Sequence, residues 1–338
     1  MSAARRRGLL RLLALLVALG LLVALIAHFG GGSHGRHAGP GTAGTKSRAP
    51  LAPVSRLASR MLPAPVSGEA LATQPDGDLL VIGGLDSSDV STSGVFRLDS
   101  RTASLTPGGS LSQPLHDAAA ATVSGRTLVL GGGSITTIDE VEALGRGGTG
   151  RVVGHLPTPR SDLSAVTIGK SAYVLGGYDG QAPLGSVLQT SNGRRFATVG
   201  HLHVPVRYAA VAVLGNTIYS FGGELASGVD TDAIQAIDPS TGHTSIVGHL
   251  PAPTSHASAV VLDGRIYVLG GRVRGTATNR ILAFDPPSPD VKPAGRLPLA
   301  VSNGAATTAG GTAYLIGGLG RGRRALTSII KVRLQRSP

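Results

Sequence analysis

The 338-residue chain carries 31 Lys and Arg against 19 Asp and Glu, a formal net charge of +12, and has no cysteine and no tryptophan. Without cysteine, disulfides, thiolate metal centres and cysteine nucleophiles are excluded. Residues 1–50 hold seven of the basic residues and no acidic one, leaving only +5 for the rest, so the high pI gives no support to a nucleic-acid-binding face on the folded part.

In chain order, residues 1–8 form a basic N-terminus, with Arg5, Arg6 and Arg7. Residues 9–29, LLRLLALLVALGLLVALIAHF, include an apolar run from Leu12 to Ala27. As a helix, 21 residues span about 31 Å, close to the hydrocarbon thickness of a bilayer. The arginines before the run stay on the cytoplasmic side, which predicts a single transmembrane segment with the rest of the chain extracytoplasmic, at the cell membrane. A cleaved signal peptide is the competing reading; the length and apolarity of the segment favour a retained anchor. The Arg6-Arg7 pair also resembles a twin-arginine export signal, which changes the export route and not the side of the membrane. Residues 30–53, rich in Gly, Ala and Pro, read as a flexible linker in which His34 and His37 are solvated.

Residues 54–338 repeat. Apolar runs end in Gly-Gly at VIGG (81–84), VLGG (129–132), VLGG (174–177), SFGG (220–223), VLGG (268–271) and LIGG (315–318), with steps of 48, 45, 46, 48 and 47 residues. Each unit reads as four short strands. A run of small residues comes first, as in 118–122 or 257–261. A tight turn and the Gly-Gly strand follow, then a strand ending in an Asp turn, then a strand leading into Gly-X-Leu-Pro, as at 154–157 and 248–251. Six four-stranded units of this length predict an all-β, six-bladed propeller with the small-residue strand innermost. The last unit lacks a fourth strand, whereas VSRLASRMLP (54–63) precedes the first unit as an orphan. The N-terminal strand is therefore expected to close the ring beside SIIKVRLQ (328–335), removing exposed sheet edges.

The pattern resembles kelch-repeat propellers, in a membrane-anchored bacterial form. The resemblance is carried by the six glycine pairs, by the tyrosines three positions before them (Tyr173, Tyr219, Tyr267, Tyr314), by Asp99, Asp238 and Asp285 after the third strand, and by Pro-Arg in LPTPR (156–160). The fourth-strand tryptophan of that family is missing from every blade, which implies Val and Leu packing in its place. The resemblance implies a channel-mouth face that binds partners.

Counting 14 residues back from each first glycine places Glu69, Asp117, Asp162, Tyr208, His256 and Asn303 at that mouth, with His116, Arg160, Arg207, Ser255 and Ser302 beside them. The loops after Gly-Gly add Asp86, Asp179, Glu224, Arg272, Arg321, Arg323 and Arg324. Convergent polar groups on a rigid scaffold suit a binding site; solvated loop junctions are the plainer reading. The recurrent His155, His201 and His249 read as repeat inheritance and not as metal ligands, and His201 with His203 lacks a third ligand. GGLGRGRR (317–324) lacks the ending of a phosphate loop. No metal, cofactor or nucleic-acid partner is expected. The expected function is a membrane-tethered module binding an extracytoplasmic protein or glycan. The alternative implied by the resemblance is a sugar enzyme of the sialic-acid mutarotase type, with Glu69, Asp162, Arg207 and His256 as acid–base candidates. A copper-radical oxidase is excluded because its Cys–Tyr cross-link cannot form.

Overall fold

The computed structural model describes residues 51–145 and 149–336. The basic N-terminus, the expected membrane segment and all but the last three residues of the linker lie outside them. Among the described residues, no helix is long and apolar enough to cross a membrane.

The described chain folds into six antiparallel sheets, built from the inside out in chain order except for the sixth, whose outermost strand is the N-terminal one. Blade 4 is typical: Ala210–Leu214, Thr217–Phe221, Ala233–Ile237 and Thr244–His249. The first strands of neighbouring blades touch all the way round, with Ala305–Ala309 of blade 6 meeting Ala70–Thr73 of blade 1. In blades 2 to 6 two-residue turns link first and second strands, as at Ser124-Gly125, where both residues have φ > 0 (50° and 77°), the geometry that suits strand twist. Blade 5 adds a short fifth strand, Arg272–Val273, paired with Thr276–Phe284.

Ring closure uses the N-terminal strand. Leu51–Leu57 pairs antiparallel with Ile329–Arg336, in the register Val54↔Arg333 and Leu57↔Ile330, and Ala58 N–H donates to the Ile329 carbonyl at 2.7 Å. The strand begins three residues before the expected boundary at 54, because Leu51, Ala52 and Pro53 continue the ladder to Arg336.

The core is six apolar clusters, one at each blade interface. The small inner residues (Ala70, Ala72, Ala119, Ala121, Ala210, Ala212) let the blades converge. The leucine before the entry to each blade is buried throughout: Leu111, Leu156, Leu202, Leu250 and Leu297 after Gly-X, and Leu62 after Arg60-Met61. Each contributes roughly 2 kcal/mol of apolar burial. Val153, Val199 and Val247 of the outer strands pack against these clusters, without tryptophan.

The glycine pairs have a specific cause. Their φ angles are 58–62° at the first glycine and 87–110° at the second. In every blade the connection from the outermost strand to the first strand of the next blade crosses here. A backbone carbonyl from that connection accepts the N–H of the second glycine: Leu115 to Gly84, Arg160 to Gly132, Val206 to Gly177, Thr254 to Gly223, Val301 to Gly271 and Val66 to Gly318, at 2.8–3.0 Å. A Cβ on the first glycine would sit 2.0–2.8 Å from the same carbonyl oxygen.

Candidate functional site

At one end of the channel the loops entering the six inner strands are joined by a closed ring of backbone hydrogen bonds. Gly68 N–H donates to Asn303, Asp117 to Gly68, Asp162 to Asp117, Tyr208 to Asp162, His256 to Tyr208 and Asn303 to His256, at 2.7–2.9 Å. All six residues have φ between 49° and 61°. Glycine adopts this left-handed region freely, but other residues pay roughly 1–2 kcal/mol for it. The ring thus holds Asp117, Asp162, Tyr208, His256 and Asn303 in a strained backbone geometry of the kind that clusters at functional sites.

Blade 1 departs from the expected ring. Its member is Gly68, not Glu69, because the turn between its first two strands is one residue longer than in the other blades. Glu69 takes the place held elsewhere by Ala118, Leu163 and Ala209. It still lines the mouth cavity but is 5 % exposed and lies at the seam of blades 6 and 1, where Oε1 accepts the Ala305 N–H at 3.0 Å and Oε2 has no partner. Arg160 is a second correction. Its side chain is buried inside blade 3, donating to the Gly176 carbonyl at 3.1 Å and to Ser186 Oγ at 3.0 Å. Ser161 takes the place beside Asp162. The equivalent His116, Arg207, Ser255 and Ser302 each bridge to the residue after their own Gly-Gly, which fixes the outer loops next to the ring.

The ring side chains converge over a cavity of about 180 Å³. Leu71, Ala120, Ala165, Val211, Ala259 and Ala306 separate it from a wider cavity of about 410 Å³ at the other end of the channel. Asp117 leans over Gly68, where its Oδ1 fills the space of the absent side chain. It accepts from Tyr208 Oη and from Asn303 Nδ2, each at 3.4 Å. Tyr208 stacks on His256 with centroids 3.8 Å apart. Arg207 reaches Asp162 at 3.4 Å, binds Glu224, and lies 4.7 Å above the Tyr178 ring. Arg272 completes this pairing, 2.7 Å from Glu224 and 3.4 Å from Asp230. The 3.4 Å contacts are long for hydrogen bonds, so Asp117, Asn303 and Tyr208 keep hydrogen-bonding capacity.

Burial decides the charges. It raises the carboxyls of Asp117 and Asp162, and Asp117 raises Asp162 further. Burial pushes Glu69 up to about 8 against the lowering effect of the Ala305 N–H. It also takes His256 down to about 3, helped by Arg272, Arg207 and Arg323. The imidazole is therefore neutral at physiological pH, with Nδ1 2.8 Å from Ser255 Oγ. The mouth offers weakly charged or neutral donors and acceptors, and Arg207 and Arg272 beside it are held by Glu224.

Away from the mouth, His155 and His249 pair with Asp139 and Asp232 of their own blades at 3.1 and 2.9 Å, on the exposed outer strands. Among the described residues no group of three His, Asp or Glu side chains is arranged to hold a metal.

A family model for the kelch motif matches residues 253–288. No curated protein matches the chain. Many solved structures do. Among them, one described as the structure of YjhT is similar with a TM-score of 0.70 and 16 % identity, covering 82 % of this chain and 99 % of that one. At that identity the likeness shows the fold.

Proposed function

We propose, from the premise that the chain is a kelch-repeat six-bladed β-propeller, that it is a binding module whose ring mouth takes a hydroxyl-rich ligand, the end of a glycan or a polar protein side chain. The proposed setting is the extracytoplasmic side of the cell membrane, with the sequence of residues 9–29 as the tether. The observation that carries the reading is the hydrogen-bonded ring itself. It fixes an acid, an amide, a phenol and an imidazole over one small cavity, at a cost in backbone strain that glycine would avoid. Groups of this kind, close to neutral and incompletely bonded, suit hydroxyls better than a strongly charged ligand. The described chain enters at Leu51, whose partner Arg336 lies at the end of the blade remote from the ring.

The test is a glycan and sugar binding screen on the purified protein. Asn303→Gly keeps a backbone that Gly68 already adopts in blade 1, and removes only the amide. The expected result is affinity lowered about tenfold, the worth of one hydrogen bond, with an unchanged melting temperature. Binding of every hit at wild-type strength by Asn303→Gly and Tyr208→Gly would place the ligand elsewhere.

A second reading, a sugar enzyme of the sialic-acid mutarotase type, is favoured by the Asp117–Asp162 pair, whose raised carboxyls suit proton transfer near neutral pH. Glu69, with its carboxyl buried in the blade seam, serves that reading less well than Asp162. NMR of anomer exchange with any bound sugar separates the two readings: exchange catalysed by the protein and abolished in Asp162→Asn supports the enzyme.

A further inference from the structure

The rim outside the ring carries a charge pattern that the ring does not use. Apart from the exposed Asp89 beside Val90, the acids of these loops are engaged within the fold. Asp86 Oδ1 accepts the N–H groups of Ser88 and Val90, Asp179 Oδ1 those of Gln181 and Ala182, and Glu224 and Asp230 are bound by Arg207 and Arg272. The arginines of the neighbouring loops in blades 5 and 6 are not. Arg274, Arg321, Arg323 and Arg324 are exposed, and among the described residues none has a salt bridge or a side-chain hydrogen bond. Arg274 and Arg323 sit at φ of 50° and 59°, at the tips of their loops. The loops on either side of this arc present aliphatic side chains to solvent: Val229 of blade 4 is 60 % exposed and Val90 of blade 1 is 57 % exposed.

We propose that this arc, from blade 4 through blades 5 and 6 to blade 1, is a docking surface for an acidic segment of a partner protein. Its carboxylates pair with Arg274, Arg321, Arg323 and Arg324, and its aliphatic residues rest on Val229 and Val90 at the two ends. The exposed, unpaired guanidinium groups are free to take an anionic partner, since arginine binds carboxylates through a planar fork of donors. The flanking valines select a protein over an anionic polysaccharide, which has no aliphatic side chains to place there. The surface lies in the loops beside the ring and uses none of the ring's own side chains.

The test uses fluorescence anisotropy with the purified full-length protein. The probes are a labelled peptide of eight glutamates flanked by leucines, the same peptide flanked by serines, and labelled heparin. The expected result is that the leucine-flanked peptide binds more tightly than the serine-flanked one and weakens as salt rises. Reversing all four arginines (Arg274→Glu, Arg321→Glu, Arg323→Glu, Arg324→Glu) should weaken it about 30-fold or more. Val90→Ser with Val229→Ser should remove the leucine preference while leaving the serine-flanked peptide unchanged. Asn303→Gly should leave every peptide affinity at the wild-type value, which separates this surface from the ring. Because the arginines support no other group, the reversed variant should melt as the wild type does; Arg323→Glu alone, with a smaller loss of the same sign, serves as the second variant. Equal binding by wild type and the reversed variants overturns the proposal. So does heparin binding more tightly than either peptide with no effect of the valine substitutions, which identifies an anionic polysaccharide instead.

Discussion

Gly222→Ala should be severely destabilised, whereas Gly215→Ala, seven residues earlier in the same hairpin, should melt only slightly below the wild type. The two glycines have nearly the same backbone conformation, φ 60° and 63°. They differ in what surrounds them. A Cβ at Gly222 would lie 2.0 Å from the Thr254 carbonyl oxygen and 3.1 Å from that of Thr231, whereas a Cβ at Gly215 meets nothing within 4 Å. The cost at Gly215 is the left-handed backbone alone, about 1–2 kcal/mol. At Gly222 the crossing loop must also move. That breaks the Gly223 to Thr254 hydrogen bond and shifts the entry to blade 5, a loss of at least about 4 kcal/mol against a total stability of roughly 5–15 kcal/mol. Urea unfolding of both variants measures the difference; equal midpoints would mean that the conserved conformation, and not the close approach, is what the second-strand glycine serves.

This pair also shows why the fold was legible in the sequence. Six carbonyl crossings impose six glycine pairs, and no other residue meets that demand, so the architecture leaves a regular mark every 45–48 residues. Ring closure was readable for a related reason, a strand missing at one end and an orphan at the other. The candidate site was less readable. Counting back from the glycines works only while the turn between the first two strands keeps its length. The extra residue around Pro75-Asp76-Gly77 moves blade 1 by one position, so that Gly68 enters the ring and Glu69 the seam. Counting forward to the start of the inner strand would have found it. Arg160 was misplaced by one residue: it stands 16 positions before Gly176, whereas His116, Arg207, Ser255 and Ser302 stand 15 before their own first glycines, the place Ser161 holds in blade 3. The left-handed conformation was hinted at by Asp117, Asp162, His256 and Asn303, since Asp, Asn and His are enriched in it; nothing in the sequence marks Tyr208 for it. The unpaired arginines of the rim were visible as residues, but their lack of partners depends on which acids the loops consume internally.

Glu69→Gln should make the protein more stable in alkaline solution and scarcely change it in acid. The Glu69 carboxyl is 5 % exposed, with one oxygen bonded to the Ala305 N–H and the other without a partner. Burial raises it from 4.5 to about 8. Between those two values the folded protein keeps a proton that the unfolded chain has released. Stability therefore falls as pH rises through that window, and the loss is complete above about 8. Each unit is worth about 1.4 kcal/mol, so the full effect is on the order of 3–5 kcal/mol. Glutamine reproduces the protonated acid: it can still accept from Ala305 and has nothing to ionise. Urea unfolding at pH 5, 7 and 9 should show the two proteins close together at pH 5 and diverging steadily above it. Asp117 and Asp162, raised in the same direction, leave a slope in both proteins, so the difference between the curves isolates Glu69. Parallel curves would show that Glu69 ionises freely in the fold. Glu69→Ala distinguishes the charge from the seam contact: it leaves the Ala305 N–H without a partner and should cost about 1–3 kcal/mol even at pH 5, where Glu69→Gln costs little.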